Sequence, residues 1–322
     1  MAEPQRDVGA TYGTAATEYA ADRAVGTSVE GAPEDTAGRS QLNLAFHRFI
    51  HHRMALAGLT IFVLLVAIAF IVPHFWKWGY AEITPSFASG PSLEHPMGTD
   101  TIGHDLFAQV MQATQTSLKS AFIVTVLATV VGTVIGAIAG YYGKLADATL
   151  MRFTDLVLTV PLLALLLVLA NVLSKQSSNY IYIAIIIAAV LWTYLARLVR
   201  GTFLSLREHD YVIAARAIGA RDRRIIFRHM VPNAMGPIVV NATLTVANAI
   251  LIESALSFLG LGIQPPAVSL GNLIANGQGS ATTEWWLFAF PSAVLVLIIL
   301  AVNFVGDGLR DALDPRQTRV RA

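Results

Sequence analysis

Six long apolar blocks constrain this chain more than any other feature of its sequence. They run from about Met54 to Phe75, Ala121 to Tyr142, Leu156 to Leu173, Tyr180 to Val199, Gly236 to Leu259 and Trp285 to Val305. A helix needs about 20 apolar residues to cross the hydrocarbon of a bilayer. Each block meets or approaches that length. Strands of a membrane barrel would be about half as long and would alternate in polarity. The blocks therefore predict an all-α membrane protein with six transmembrane helices. Composition agrees, because only 13% of residues are charged, against about 25% in soluble domains. The net charge of +1 supplies no overall field to attract nucleic acid. With no cysteine, disulfides, Cys-based zinc sites, iron–sulfur clusters and thiol nucleophiles are excluded.

Residues 1–40 are rich in Ala, Gly, Glu, Asp and Thr and hold almost no large aliphatics. Such a segment cannot bury enough apolar area to offset its ordering entropy, so it reads as a disordered tail. It is no signal peptide, since the first apolar block begins too late and runs too long. The expected organisation is this tail, a transmembrane domain over 41–315 with a cytoplasmic loop at about 200–235, and a short tail at 316–322. Orientation follows from the excess of cationic residues in cytoplasmic loops. With both termini in the cytoplasm, Arg48, Arg53, Arg152, Arg197, Arg200, Arg207, Arg216, Arg221, Arg223, Arg224, Arg228, Arg310, Arg316, Arg319 and Arg321 all fall inside. The loop between the last two blocks has no Lys or Arg. The loop between the first two holds Lys77 among Glu82, Glu94, Asp100 and Asp105.

Within the second block, Gly132, Gly136 and Gly140 form a ladder with a four-residue step, which lets another helix approach closely. Packing within the chain and packing between subunits both fit. Pro161 and Pro291 each remove a backbone hydrogen bond and should bend their helices. Asp155 should pair with Arg152 one turn away.

The segment from Arg197 to Pro232 carries the most information. Val212 to Arg216 is a good helical stretch with a small-residue face at Ala214, Ala215 and Ala217. Gly219 is its natural stop. A second helix should begin near Asp222 as N-cap, with Ile225, Ile226 and Phe227 toward membrane or protein and Arg223, Arg224 and Arg228 toward polar groups. A small, smooth helix of this kind suits a groove on another protein. A basic amphipathic element lying on anionic lipid suits the same pattern.

The stretch Asp210, Tyr211, Val212, Ile213, Ala214, Ala215, Arg216, Ala217, Ile218, Gly219, Ala220 resembles the EAA loop of ABC importer permeases. Ala214, Ala215, Gly219 and Pro232 stand at the family's spacing. Ile213 replaces the usual Glu, and His229 replaces a usual Ile. The resemblance spans residues 45 to 315 and is closest to the second permease chain of dipeptide, oligopeptide and nickel importers. It is carried also by His95 to Asp105, by Gly140 to Gly143 with Asp147, by Glu253 to Gly262, and by Asn303, Gly306, Asp307, Leu309, Arg310, Asp311, Asp314 and Pro315. The resemblance implies a type I ABC importer permease fold and a subunit that moves peptides inward. Nickel or another small solute is the alternative cargo. It further implies a heterodimer with a second permease chain, two cytoplasmic ATPase subunits and an extracytoplasmic solute-binding protein. The 210–220 stretch would then couple to the ATPase.

No phosphate-binding G-x-x-x-x-G-K-[ST] loop occurs, so this chain is expected to be non-catalytic and without cofactor. ATP and Mg would belong to the partner subunits. Inside the fifth block, Asn241 and Asn248 share one helix face, and Glu253 lies near the outer end. Polar groups in a span mark a substrate pathway or bond between helices. An ion-coupled secondary transporter would place acidic groups at mid-bilayer, where this chain has almost none.

Overall fold

The computed structural model describes residues 41–173 and 179–313. The tails at 1–40 and 316–322, with Asp314 and Pro315, lie outside the described residues. The chain forms α1 (Gln41–His51), α2 (Arg53–Ile71), α3 (Leu106–Tyr142), α4 (Lys144–Thr159), α5 (Leu162–Leu173), α6 (Tyr180–Arg207), α7 (Asp210–Ala217), α8 (Val231–Phe258), α9 (Leu270–Gln278) and α10 (Trp285–Leu313). Among the described residues there is no β-strand, only two isolated bridges in the loop between α2 and α3.

Five helical stretches are long and apolar enough to cross a membrane: Arg53–His74, Leu106–Tyr142, Tyr180–Arg207, Asp222–Phe258 and Trp285–Leu313. The third sequence block is different. The bend expected at Pro161 is a full break, because α4 and α5 meet at 88°. The cause is Pro161, which lacks the N–H and disfavours helical geometry in the residue before it. Val160 is accordingly extended, at φ −80°, ψ 131°. Helix α5 alone reaches roughly 18 Å, short of the roughly 30 Å hydrocarbon layer, so a sixth crossing is counted only if the bent pair is taken as one broken span. Helix α3 also starts earlier than its apolar block, at Leu106, where the Asp105 carboxylate accepts from the Ala108 N–H at 2.9 Å.

The core is built on a seam between α3 and α6. A Cβ on Gly132 would lie 2.7 Å from the carbonyl oxygen of Trp192, and one on Gly140 would lie 2.6 Å from Cβ of Phe203. The ladder thus packs within the chain, which decides between the two readings of it. Helix α2 packs along α10, with Gly58 against Ala301 and Phe304. At one end of this pair His52 lies 3.4 Å from Asp311. At the opposite end Trp286 donates to the carbonyl of Thr99. That second end also holds a buried cluster in which Asp105 accepts from Trp76 Nε1 at 2.9 Å and meets His95 Nδ1 at 2.8 Å. The outward faces of α2 and α3 remain apolar and exposed, including Val63, Leu64, Phe122, Val130 and Val134. This is the inverse of a soluble protein and suits a hydrocarbon solvent.

Candidate coupling helix and substrate pathway

Helix α7 is short and asymmetric. It opens after His209, whose side chain makes no capping bond, with Asp210 in the first turn. A carboxylate there opposes the positive end of the helix dipole. Val212 is fully buried and Ala215 nearly so. Both insert into a cluster with Tyr141, Val199, Phe203, Ile225, Met230 and Ala234. The end of α7 is a two-bond C-cap of the Schellman kind: Gly219 N–H donates to Arg216 O, and Ala220 N–H donates to Ala215 O, each at 3.0 Å. This geometry needs a residue with positive φ at the cap, and Gly219 sits at φ +77°. The expected stop is therefore where the sequence placed it.

The remaining face of α7 is open. Ala214 and Ala217 are exposed, Ile213 is 51% exposed and Ile218 is 85% exposed. Tyr211 stacks on His209 at 5.8 Å, and partial burial raises its phenol pKa. Arg216 lies over the Tyr141 ring at 5.6 Å.

The turn after Ala220 differs from expectation. The N-cap of the second helix is Arg221, not Asp222. The Asp222 carboxylate instead accepts from the Tyr141 hydroxyl at 2.7 Å, tying the loop to the end of α3. One helical turn, Asp222–Arg224, runs into a π-helical segment, Ile225–Met230, and then into α8. Ile225 is buried while Phe227 is 65% exposed. Close by, Arg200 of α6 holds both oxygens of Asp147 on α4, with Nη2 at 2.6 Å from Oδ2. Asp155 pairs with Arg197 on α6 at 2.6 Å. That corrects the expected partner, Arg152: the α4–α6 contact brings a second arginine to the carboxylate. The sequence flagged Tyr141 and Asp147 only through family likeness, since pairing across the fold has no local signal.

The three pathway candidates separate. Asn241 is half-buried and Asn248 is exposed. Neither side-chain amide has a hydrogen-bond partner among the described residues. Glu253 is fully buried. Its oxygens accept from Ser117 Oγ on α3 at 2.8 Å and from Ser257 Oγ at 2.7 Å. In this chain the Glu253 side chain has no exposed surface. The serines of α3 and α8 close around it, and its role here is to join the two helices.

These features can be compared with known proteins. Residues 132–319 match the family described as binding-protein-dependent transport system inner membrane component. Residues 40–96 match the N-terminal transmembrane domain of oligopeptide transport permease C. The chain is 41% identical over 283 residues to the oligopeptide transport system permease protein OppC of Mycobacterium tuberculosis, covering 88% of this chain and 97% of that protein. It is 37% identical over 273 residues to the dipeptide transport system permease protein DppC of Alkalihalophilus pseudofirmus, covering 84% and 89%. Among solved structures, a chain of the methionine ABC transporter MetNI in an inward-facing crystal form superposes with a TM-score of 0.53 at 18% identity. That match covers 65% of this chain and 98% of the other, and it shows a shared fold.

Proposed function

This chain belongs to the family of binding-protein-dependent transport inner membrane components, and from that premise we propose that it carries peptides across the cytoplasmic membrane as one half of an ATP-driven importer. The peptide class rests on the relatives named OppC and DppC. In this reading the chain pairs with a second, different permease. It takes cargo from an extracytoplasmic binding protein and hydrolyses nothing itself. ATP and Mg are held by two cytoplasmic ATPase subunits.

The observation that carries the coupling role is the exposed face of α7. Ile213, Ala214, Ala217 and Ile218 present apolar and small side chains outward, while Val212 and Ala215 anchor the helix from behind. Ala214 and Ala217 bring no side-chain rotamers to order on docking, which lowers the entropic cost of association. Ile213, where the family usually has Glu, extends the apolar patch. We assign the coupling role to Asp210–Ala220. Movement of α7 would reach α3 through Arg216, Tyr141 and Asp222, and from α3 would reach α6 across the glycine seam. Closure of the ATPase pair would thereby bias the spans between inward-open and outward-open states. Asn241 and Asn248, with free amides on one face of α8, are our candidates for the pathway lining.

The test is uptake in proteoliposomes holding both permeases and both ATPases, supplied with binding protein and a labelled oligopeptide. ATP-dependent accumulation is expected. No accumulation of peptide, alongside ATP-dependent accumulation of nickel or another small solute, would refute the cargo and leave the motor coupling standing.

A further inference from the structure

Beyond the coupling helix, the start of the membrane-crossing stretch Asp222–Phe258 carries a concentration of positive charge that the transport reading does not use. Arg221, Arg223, Arg224, Phe227, Arg228 and Pro232 line an open concavity of about 590 Å³. All four guanidinium groups are exposed. Among the described residues none of the four forms an ion pair. Other arginines of the same face do, as Arg197 with Asp155 and Arg207 with Glu208. The one acidic residue inside the cluster, Asp222, directs its carboxylate to the Tyr141 hydroxyl.

The concavity is not only cationic. Phe227 contributes a ring that is 65% exposed. From Pro232 an apolar track continues along α8 through Met235, 45% exposed, and Val239, 38% exposed. Their spacing of three and four residues puts them on one helix face. Guanidinium groups at one end and exposed hydrocarbon running along a membrane helix from the other match a molecule with an anionic head and acyl chains. An acidic protein segment would satisfy the arginines but leave the track uncovered.

We propose that this cluster is a binding site for an anionic phospholipid of the cytoplasmic leaflet. The phosphate sits among Arg221, Arg223, Arg224 and Arg228, and an acyl chain lies along Phe227, Pro232, Met235 and Val239. Planar guanidinium groups suit phosphate oxygens through paired hydrogen bonds. The lipid would brace the segment that joins the coupling helix to α8. This inference goes beyond the transport reading and does not depend on the cargo.

The experiment is native mass spectrometry of the assembled transporter in mild detergent. Phosphatidylglycerol and phosphatidylcholine with the same acyl chains are added in turn. Phosphatidylglycerol is expected to be retained over phosphatidylcholine. That preference should fall roughly fivefold for each Arg→Gln change at Arg223, Arg224 and Arg228. Arg→Lys changes at the same positions keep the charge but not the paired hydrogen bonds, and should keep more of the preference than Arg→Gln, which separates lost charge from lost folding. Phe227→Ser should weaken retention of both lipids. Equal retention of the two lipids by the unaltered complex would overturn the proposal. So would displacement of phosphatidylglycerol by inorganic phosphate alone, which would mark a free-anion site. Loss of the ATPase subunits from the Arg→Gln complex with lipid retention unchanged would also overturn it and assign the cluster to a protein partner.

Discussion

Helices α3 and α6 meet backbone to backbone, whereas α7 is held by two buried side chains and a capped end. In the seam, glycine removes the side chains that would separate the helices, and each contact is with fixed main chain or Cβ. At the end of α7, a Cβ on Gly219 would meet nothing within 4 Å, and most residues of the helix are exposed. The same residue type therefore does opposite work. Gly136 allows close approach, while Gly219 allows a left-handed turn. A body that must move as a unit needs the first arrangement. An element that must dock and transmit force needs an exposed surface and a sharp end.

The largest way to break this contrast is Gly136→Leu. Its side chain would meet Ala196 O at 2.5 Å from the Cβ position onward. Overpacking typically costs about 1–3 kcal/mol, and here the obstacle is backbone and cannot yield. Loss of a monodisperse peak in detergent size-exclusion is expected. Gly219→Asp should behave in the opposite way. Asp tolerates positive φ better than most residues, so the cost to stability should stay at about 1–2 kcal/mol. The carboxylate would nonetheless sit at the edge of the docking face, and peptide uptake should be lost. A thermal melt and an uptake assay on the same preparation check both halves.

Glu253 tests a polar join against the apolar seam. Glu253→Leu leaves the hydroxyls of Ser117 and Ser257 without an acceptor in a buried site, at a cost of about 1–3 kcal/mol. Glu253→Gln keeps an acceptor and should cost less, so the order of the two melting temperatures is the readout. The smallest effect is expected at the exposed Lys77–Glu94 pair, 2.7 Å apart. The hydrogen bond and charge of Lys77 lower the Glu94 pKa. A carboxylate with a depressed folded-state pKa contributes its stability above the unfolded value and loses it as pH falls through the folded one. Acidification through that range should shift the melt of Glu94→Gln less than that of the unaltered chain, by a margin that shrinks in high salt.

Much of this architecture is legible in the residues. Apolar length gives the crossings and Gly219 gives the end of α7, because each depends on local chemistry. What is not legible depends on distant partners. Nothing near Asp155 announces Arg197 as its partner, and nothing near Asp222 announces the Tyr141 hydroxyl. Pro161 announces a bend but not its 88°, which is set by what α4 and α5 pack against. Glu253 read as a polar group in a span. Only the fold brings Ser117, far away in sequence, to close around it.

The most direct test of the coupling claim uses the absence of cysteine in this chain. Ala217→Cys would place a lone thiol on the exposed face of α7, and Leu93→Cys would place one in the loop between α2 and α3. Each assembled complex is treated with a short thiol-to-amine cross-linker, and the products are identified by mass spectrometry. The thiol at 217 is expected to join this chain to an ATPase subunit, and the thiol at 93 is not. Absence of an ATPase product at 217 from a complex that still hydrolyses ATP, or an ATPase product at 93, would contradict the coupling claim.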